Sequence, residues 1–183
     1  MALTKTTQYA NRRGMDLKFY AITDTELKTP LLTVDYCNEV SVDLSGSTVW
    51  ATGGQSHANK VPFEDPMEGT MTISTQIMTT ELLALLAGKD MSSFDGNEVV
   101  WNNRDTIKFY IITGETVWKD KDGVTYAETI KAFKATPQKA YSKNYIGTGD
   151  PSELEIVFDL AEDDDGNVYS SVKSSDSTNP SNP

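Results

Sequence analysis

The sequence is short of the side chains that most often hold metals or carry nucleophilic chemistry: it has one cysteine, Cys37, and one histidine, His57, in 183 residues. A single cysteine cannot close an internal disulfide, and together the two cannot supply the four ligands of a structural zinc. Folding in a reducing cytoplasm is expected. Long apolar runs are missing too. None approaches the ~20 residues of a membrane span, and the opening "MALTKTTQYANRRG" lacks the apolar stretch of an export signal. The expectation is a chain with no membrane span that is not exported by that route. Bases are in deficit, with 16 Lys and Arg against 27 Asp and Glu, a net charge of -11. Residues 150–183 hold nine of the acids and one base, a net -8, which leaves -3 for the other 149 residues. Gripping nucleic acid needs clustered bases that displace counterions from phosphates, so that role is excluded; repelling nucleic acid is not.

What the sequence does have is alternation with a period of two, the mark of half-buried strands. From Leu32 to Leu44 the even positions read Leu32, Val34, Tyr36, Asn38, Val40, Val42 and Leu44, and the odd ones Thr33, Asp35, Cys37, Glu39, Ser41 and Asp43. This places Cys37 on a polar face among acids, which raise a thiol's pKa and argue against a reactive nucleophile. "GTMTISTQI" repeats the pattern through Met71, Ile73 and Ile77, "DTIKFYII" through Ile107, Phe109 and Ile111, and "SELEIVFDL" through Leu154, Ile156, Phe158 and Leu160. Weaker strand candidates are "LKFYAI" at 17–22 and the run from Tyr126 to Tyr145. Asp95-Gly96, Asp122-Gly123 and Asp165-Gly166 are turn pairs. One helix is expected over about 79–87, in "TTELLALLAG": Thr79 caps it, Glu81 meets the helix dipole, and Gly88 closes it. Its leucines are too many for a surface helix, so it should plug one side of the sheet. The class is mainly β, a sandwich or barrel with one short flanking helix and a long loop or arm over about 45–68. Residues 1–167 form one domain, and 168–183, rich in Ser, Asn and Pro, a flexible C-terminal tail.

Catalytic and metal readings find little support. His57 lies in a Gly/Ser/Asn-rich loop, and adjacent Ser56 cannot form a serine–histidine relay with it. "EDDDGNVY" and "WKDKDGVTYAET" lack the first and last acids of a calcium-binding helix–loop–helix, which leaves a solvated acidic turn as the plainer reading. "TGGQSH" and "GTGDP" lack a phosphate-binding lysine and dinucleotide spacing. Paired carboxylates such as Glu64/Asp65 and Glu153/Glu155 have nothing in the sequence that sets their pKa values apart. No enzyme, cofactor or metal is expected. Trp50, Trp101 and Trp118 lie near expected loops, so a carbohydrate-binding, lectin-like sandwich stands as an alternative, against plain packing at loop bases or subunit contacts.

The order of features resembles a known family. A strand with acids on its wet face is followed by a long Gly-rich excursion ending in "EDPMEGTMTISTQI". Then come "MTTELLALLAG" and a last acidic strand and turn, "GTGDPSELEIVFDLAEDDDG". Over roughly residues 15–167 this is similar to the major tail tube proteins of long-tailed bacteriophages, those of Gram-positive hosts above all. The resemblance implies a β-sandwich flanked by a helix, assembling into hexameric rings that stack into a hollow tube through which the genome passes. It implies further copies of the chain, tape-measure, and tail-tip or terminator proteins as partners, and the virion tail as location after synthesis in the host cytoplasm. DNA would pass the lumen without specific binding, since a negative wall repels phosphates. Asp35, Glu39, Asp43, Glu153, Glu155 and Asp159 are the lumen-facing acid candidates, although alternation shows two faces without saying which looks inward. Val49, Trp50, Gly53, Gly54, His57, Val61 and Phe63 are the expected inter-ring contacts of the arm, with Gly53 and Gly54 at its tip. The tube of a phage-tail-like bacteriocin fits the same features.

Overall fold

The computed structural model describes residues 9–11, 15–53, 59–102, 106, 108–138 and 153–174. In chain order the elements are β1 (Tyr9–Asn11), β2 (Met15–Ala21), β3 (Leu32–Ser45), β4 (Thr48–Gly53), β5 (Asn59–Glu64), β6 (Glu68–Thr75), α1 (Thr80–Leu86), β7 (Tyr110–Asp120), β8 (Thr125–Pro137), β9 (Leu154–Ala161) and β10 (Tyr169–Ser174). The large sheet runs β1-β7-β2-β3-β6-β9-β8-β10, and a further β7–β8 pairing joins strands near its two ends. Strands β2, β3, β6, β9, β8 and β7 thereby close on themselves as an antiparallel barrel. The expected mainly β class with one short helix is what is found.

The β7–β8 hairpin makes the closure and then runs past it. Its turn is drawn tight by Asp120, whose Oδ1 accepts the backbone N–H of Asp122 at 2.9 Å and of Val124 at 2.8 Å. Near the barrel, β7 pairs with β2 from Tyr110 to Glu115; farther out, Trp118 to Asp120 pair with β1. On the other flank β8 pairs with β9 through Lys134–Pro137 and with β10 through Ala127–Ala132. So β1 and β10 sit as outer strands on the overhanging part of the hairpin. Within the stretch expected as a flexible tail from 168, Tyr169–Ser174 forms a strand along β8, and residues 175–183 lie outside the described residues. All three Asp-Gly pairs turn as expected, with positive φ at Gly96, Gly123 and Gly166.

The core follows the alternation. Leu17 and Phe19 of β2, Met71 and Ile73 of β6, and Leu154, Ile156, Phe158 and Leu160 of β9 are buried in one cluster, where the Phe19 and Phe158 rings lie 5.6 Å apart. Each such side chain is worth about 1.5–3 kcal/mol of transfer free energy. Three expectations need correction. Cys37 is 6% exposed in the core, not on the polar face, because β3 shifts register on both sides of it, against β2 between Val34 and Cys37 and against β6 between Cys37 and Glu39, so it alone is out of phase with the inward even positions before and after. In "DTIKFYII" Ile111 is buried as expected, at 5% exposed, but the main cluster takes Tyr110 and Ile112 instead, while Phe109 is exposed and Ile107 lies outside the described residues. That stretch is apolar on both faces, so alternation cannot choose between them. Ile77 lies beyond the end of β6 and is exposed.

Helix α1 forms as expected. Thr79 Oγ1 accepts the Leu82 N–H at 3.2 Å, Glu81 sits in the first turn, and Gly88 closes the end at φ 74°. Leu82 and Leu85 enter the barrel's core cluster, and Tyr110 Oη–H donates to the Leu85 carbonyl at 3.3 Å. The helix thus plugs the barrel between the end of β6 and the start of β7.

Candidate functional site, an assembly surface

The segment expected as a loop or arm over about 45–68 folds as a two-stranded ribbon. β4 and β5 pair in register through Val49 with Phe63, Trp50 with Pro62, Ala51 with Val61 and Gly53 with Asn59, and they pair with no other described strand. The side chains of the arm candidates Val49, Trp50, Val61 and Phe63, and residues Gly54 and His57 altogether, lie outside the described residues. Alternation did not reveal the ribbon because Gly, Ser, Asn and Pro62 break any clean pattern there. Its root is tied: the Asp65 N–H donates to the Ser47 carbonyl at 3.0 Å, and Ser47 Oγ–H donates to the Asp65 carboxylate. Beside the root lies a cleft of about 530 Å³, where exposed Leu44 and Met67 meet Asp43, Glu68, Asp159 and Glu162.

The acid candidates are all exposed. Four of them form a panel on the outer face of β3, β6 and β9. One cross-strand row reads Glu39–Ser74–Glu155 and another Asp43–Thr70–Asp159, with Ser41–Thr72–Val157 between them. With strands about 4.8 Å apart and residues about 3.3 Å apart along each, the four carboxylates mark a rectangle of roughly 10 by 13 Å. No base stands in these rows, and the pairs that face each other across β6, about 10 Å apart, lie within about a Debye length of one another. Asp35 precedes the second register shift of β3, and Glu153 precedes β9, where Asn38 Nδ2 approaches its Oε1 at 3.5 Å. Asp159 accepts a hydrogen bond from Gln138 Nε2 at 2.7 Å. The structure thus brings Glu39, Asp43, Glu155 and Asp159 together and leaves Asp35 and Glu153 at the margin.

Other chemistry-bearing groups are engaged locally. Asp163 Oδ1 accepts the N–H of Asp165 at 3.0 Å and of Asn167 at 2.8 Å, which holds the acidic turn and lowers the Asp163 carboxyl from its ordinary pKa. Trp118 Nε1–H donates to Glu128, and the Lys173 ammonium lies 4.7 Å from its ring centre. That engagement takes one of the three tryptophans out of a sugar-stacking set. Glu128 itself was missed by sequence reasoning, since it sits in a core phase of β8 where alternation predicts an apolar residue.

The fold defines a closed antiparallel barrel with an overhanging hairpin, a projecting ribbon and a panel of outward carboxylates. No family model and no curated protein matches the chain. Among solved structures, a chain of the cryo-EM structure of the anti-feeding prophage (AFP) baseplate, 6-fold symmetrised, is similar over 94% of this chain and 97% of its own, at 10% identity and a TM-score of 0.49. A likeness of that degree supports no functional conclusion.

Proposed function

We propose that the chain is a structural, non-catalytic subunit that assembles with its own copies into stacked hexameric rings, forming the tail tube of a long-tailed phage. The observation that carries this reading is the β4–β5 ribbon, which projects from the barrel with both of its strand edges unpaired by any other described strand. A lone two-stranded ribbon is marginal in water, and an open edge pairs readily with another chain, so the arm is a contact awaiting a partner. The acid panel supports the same reading: on the lumen wall it would keep DNA phosphates from sticking during passage. Tape-measure and tail-tip or terminator proteins are the further partners of such a tube.

Negative-stain microscopy of the purified protein at high concentration, with and without a tail-tip extract, tests the reading. Rings or tubes are expected; monomers alone under both conditions would overturn it. Deleting residues 48–63 is expected to leave a folded barrel by circular dichroism and to abolish tube elongation, and normal tubes from that deletion would remove the arm's role.

A further inference from the structure

Glu128 is an anomaly on hydrophobic grounds. It occupies an inward position of β8 between Tyr126 and Ile130 and is only 7% exposed. A carboxylate in such a place needs donors and a cation close by. It has them: Trp118 Nε1–H of β7 donates to its Oε2, Ser171 Oγ–H of β10 donates to its Oε1 at 2.5 Å, and the Lys173 ammonium of β10 stands 3.7 Å from Oε1. Lys173 is also Glu128's register partner, so the pair lies directly across the β8–β10 ladder.

Apart from its ladder with β8, β10 buries little apolar surface. Val168 is buried just before the strand and Tyr169 is half-buried at its start, but Val172 is 60% exposed, and Ser171 and Ser174 are exposed. Among the described residues it pairs with β8 alone. The closed barrel does not depend on it, because β8 is already paired with β7 and β9.

We propose that β10 is a detachable strand latched by Glu128, and that when it leaves, the edge of β8 over residues 127–132 is filled by β10 of a second copy of this chain. A bare edge accepts the backbone of any extended strand. Glu128 is more selective: it is satisfied by a strand that places a cation directly opposite and a hydroxyl two residues earlier. The Ser171-Val172-Lys173 stretch of an identical copy meets that demand with no new chemistry, and the outcome is an exchange of identical elements between subunits. The proposal does not rest on the tube reading.

The test combines hydrogen exchange with cross-linking. Lys173→Glu sets a second carboxylate against Glu128 and is expected to speed amide exchange at residues 169–174 by roughly 10- to 100-fold, the worth of a charged hydrogen bond. Exchange in β3, β6 and β9 should stay unchanged. The swapped pair Glu128→Lys with Lys173→Glu should restore slow exchange. Val172 and Thr129 are exposed register partners, so one copy carrying Thr129→Cys and Lys173→Glu, whose own strand is released, is mixed with another carrying Val172→Cys and keeping Lys173, whose strand still meets the demand of Glu128. Cys37 is buried and stays silent. A disulfide between the two copies, well above that formed in the same mixture with Lys173 intact in both, is expected. Unchanged exchange at 169–174 would overturn the latch, and faster exchange without a link between copies would overturn the second copy as occupant. Should Lys173→Glu fail to fold, Ser171→Ala carries the same two measurements.

Discussion

Cys37 and Tyr110 sit in the same apolar cluster, and burial acts on both in the same direction. It pushes the Cys37 thiol from its ordinary 9.0 up to about 12, with the Asp16 carboxylate adding to the effect, and the Tyr110 phenol from 10.0 up to about 12. Both groups therefore stay neutral in the folded chain at a pH where the unfolded chain has already ionised them. The stability they contribute is whole below pH 9 and is lost as pH rises toward about 12. Urea unfolding at stepped pH should show that decline, and Cys37→Ala should flatten it in part. At pH 8 the native thiol should ignore a thiol reagent that the unfolded chain consumes at once. Gly114 makes a second residue-level case. A Cβ there would meet Met15 Sδ as well as Ile130 Cγ1 and Leu17 Cδ2, the latter two at 2.9 Å each. Met15 can yield because its side chain is flexible, but the other two belong to packed core residues. Gly114→Ala should cost about 1–3 kcal/mol in chemical denaturation, and little change would show that the barrel wall gives more easily than its packing indicates.

Helix α1 was legible because each of its signals is local: a capping threonine, an acid in the first turn, leucines at helical spacing and a closing glycine. Thr79→Ala should destabilise the fold by about 1 kcal/mol, and Leu85→Ala, which empties space in the barrel plug, by about 2–5 kcal/mol. A ratio reversed from this would mean the helix is held by its cap and not by its packing. The strands were legible where one face is wet, as in β6 and β9, and misread where that condition fails. β7 begins with three apolar residues in a row, and β3 hides register shifts on both sides of Cys37, which period-two alternation cannot see because the first displaces the phase and the second restores it before Val40 and Val42. The ribbon β4–β5 is held in position at its root by Ser47 and Asp65. Asp65→Ala should leave barrel stability within about 0.5 kcal/mol, as surface changes do, and still weaken assembly by letting the arm swing. Equal tube yields from the variant and the parent would show that the root needs no tether.

The class could be read from the sequence, but closure could not, because it depends on pairings between strands far apart in the chain. The acid panel shows the same limit. Glu39 and Asp43 were visible as neighbours on one strand, but their alignment with Glu155 and Asp159 across β6 exists only in the folded sheet. Barrel closure also orders events in time. Ala21 pairs with Tyr110, ~90 positions later. Strand β2, among the first made, must therefore wait for the β7–β8 hairpin before its outer edge is covered. Long separations of this kind slow folding, because the entropy of closing the loop is lost before the contact is gained. During synthesis, β2 and β3 emerge with open edges and the ribbon is already present, so a nascent chain stalled before residue 110 has its adhesive parts exposed and no barrel to hold them apart. The hairpin that shuts the barrel is thus also a timer, and it sets how long each new copy stays vulnerable to pairing with its neighbours in the wrong order.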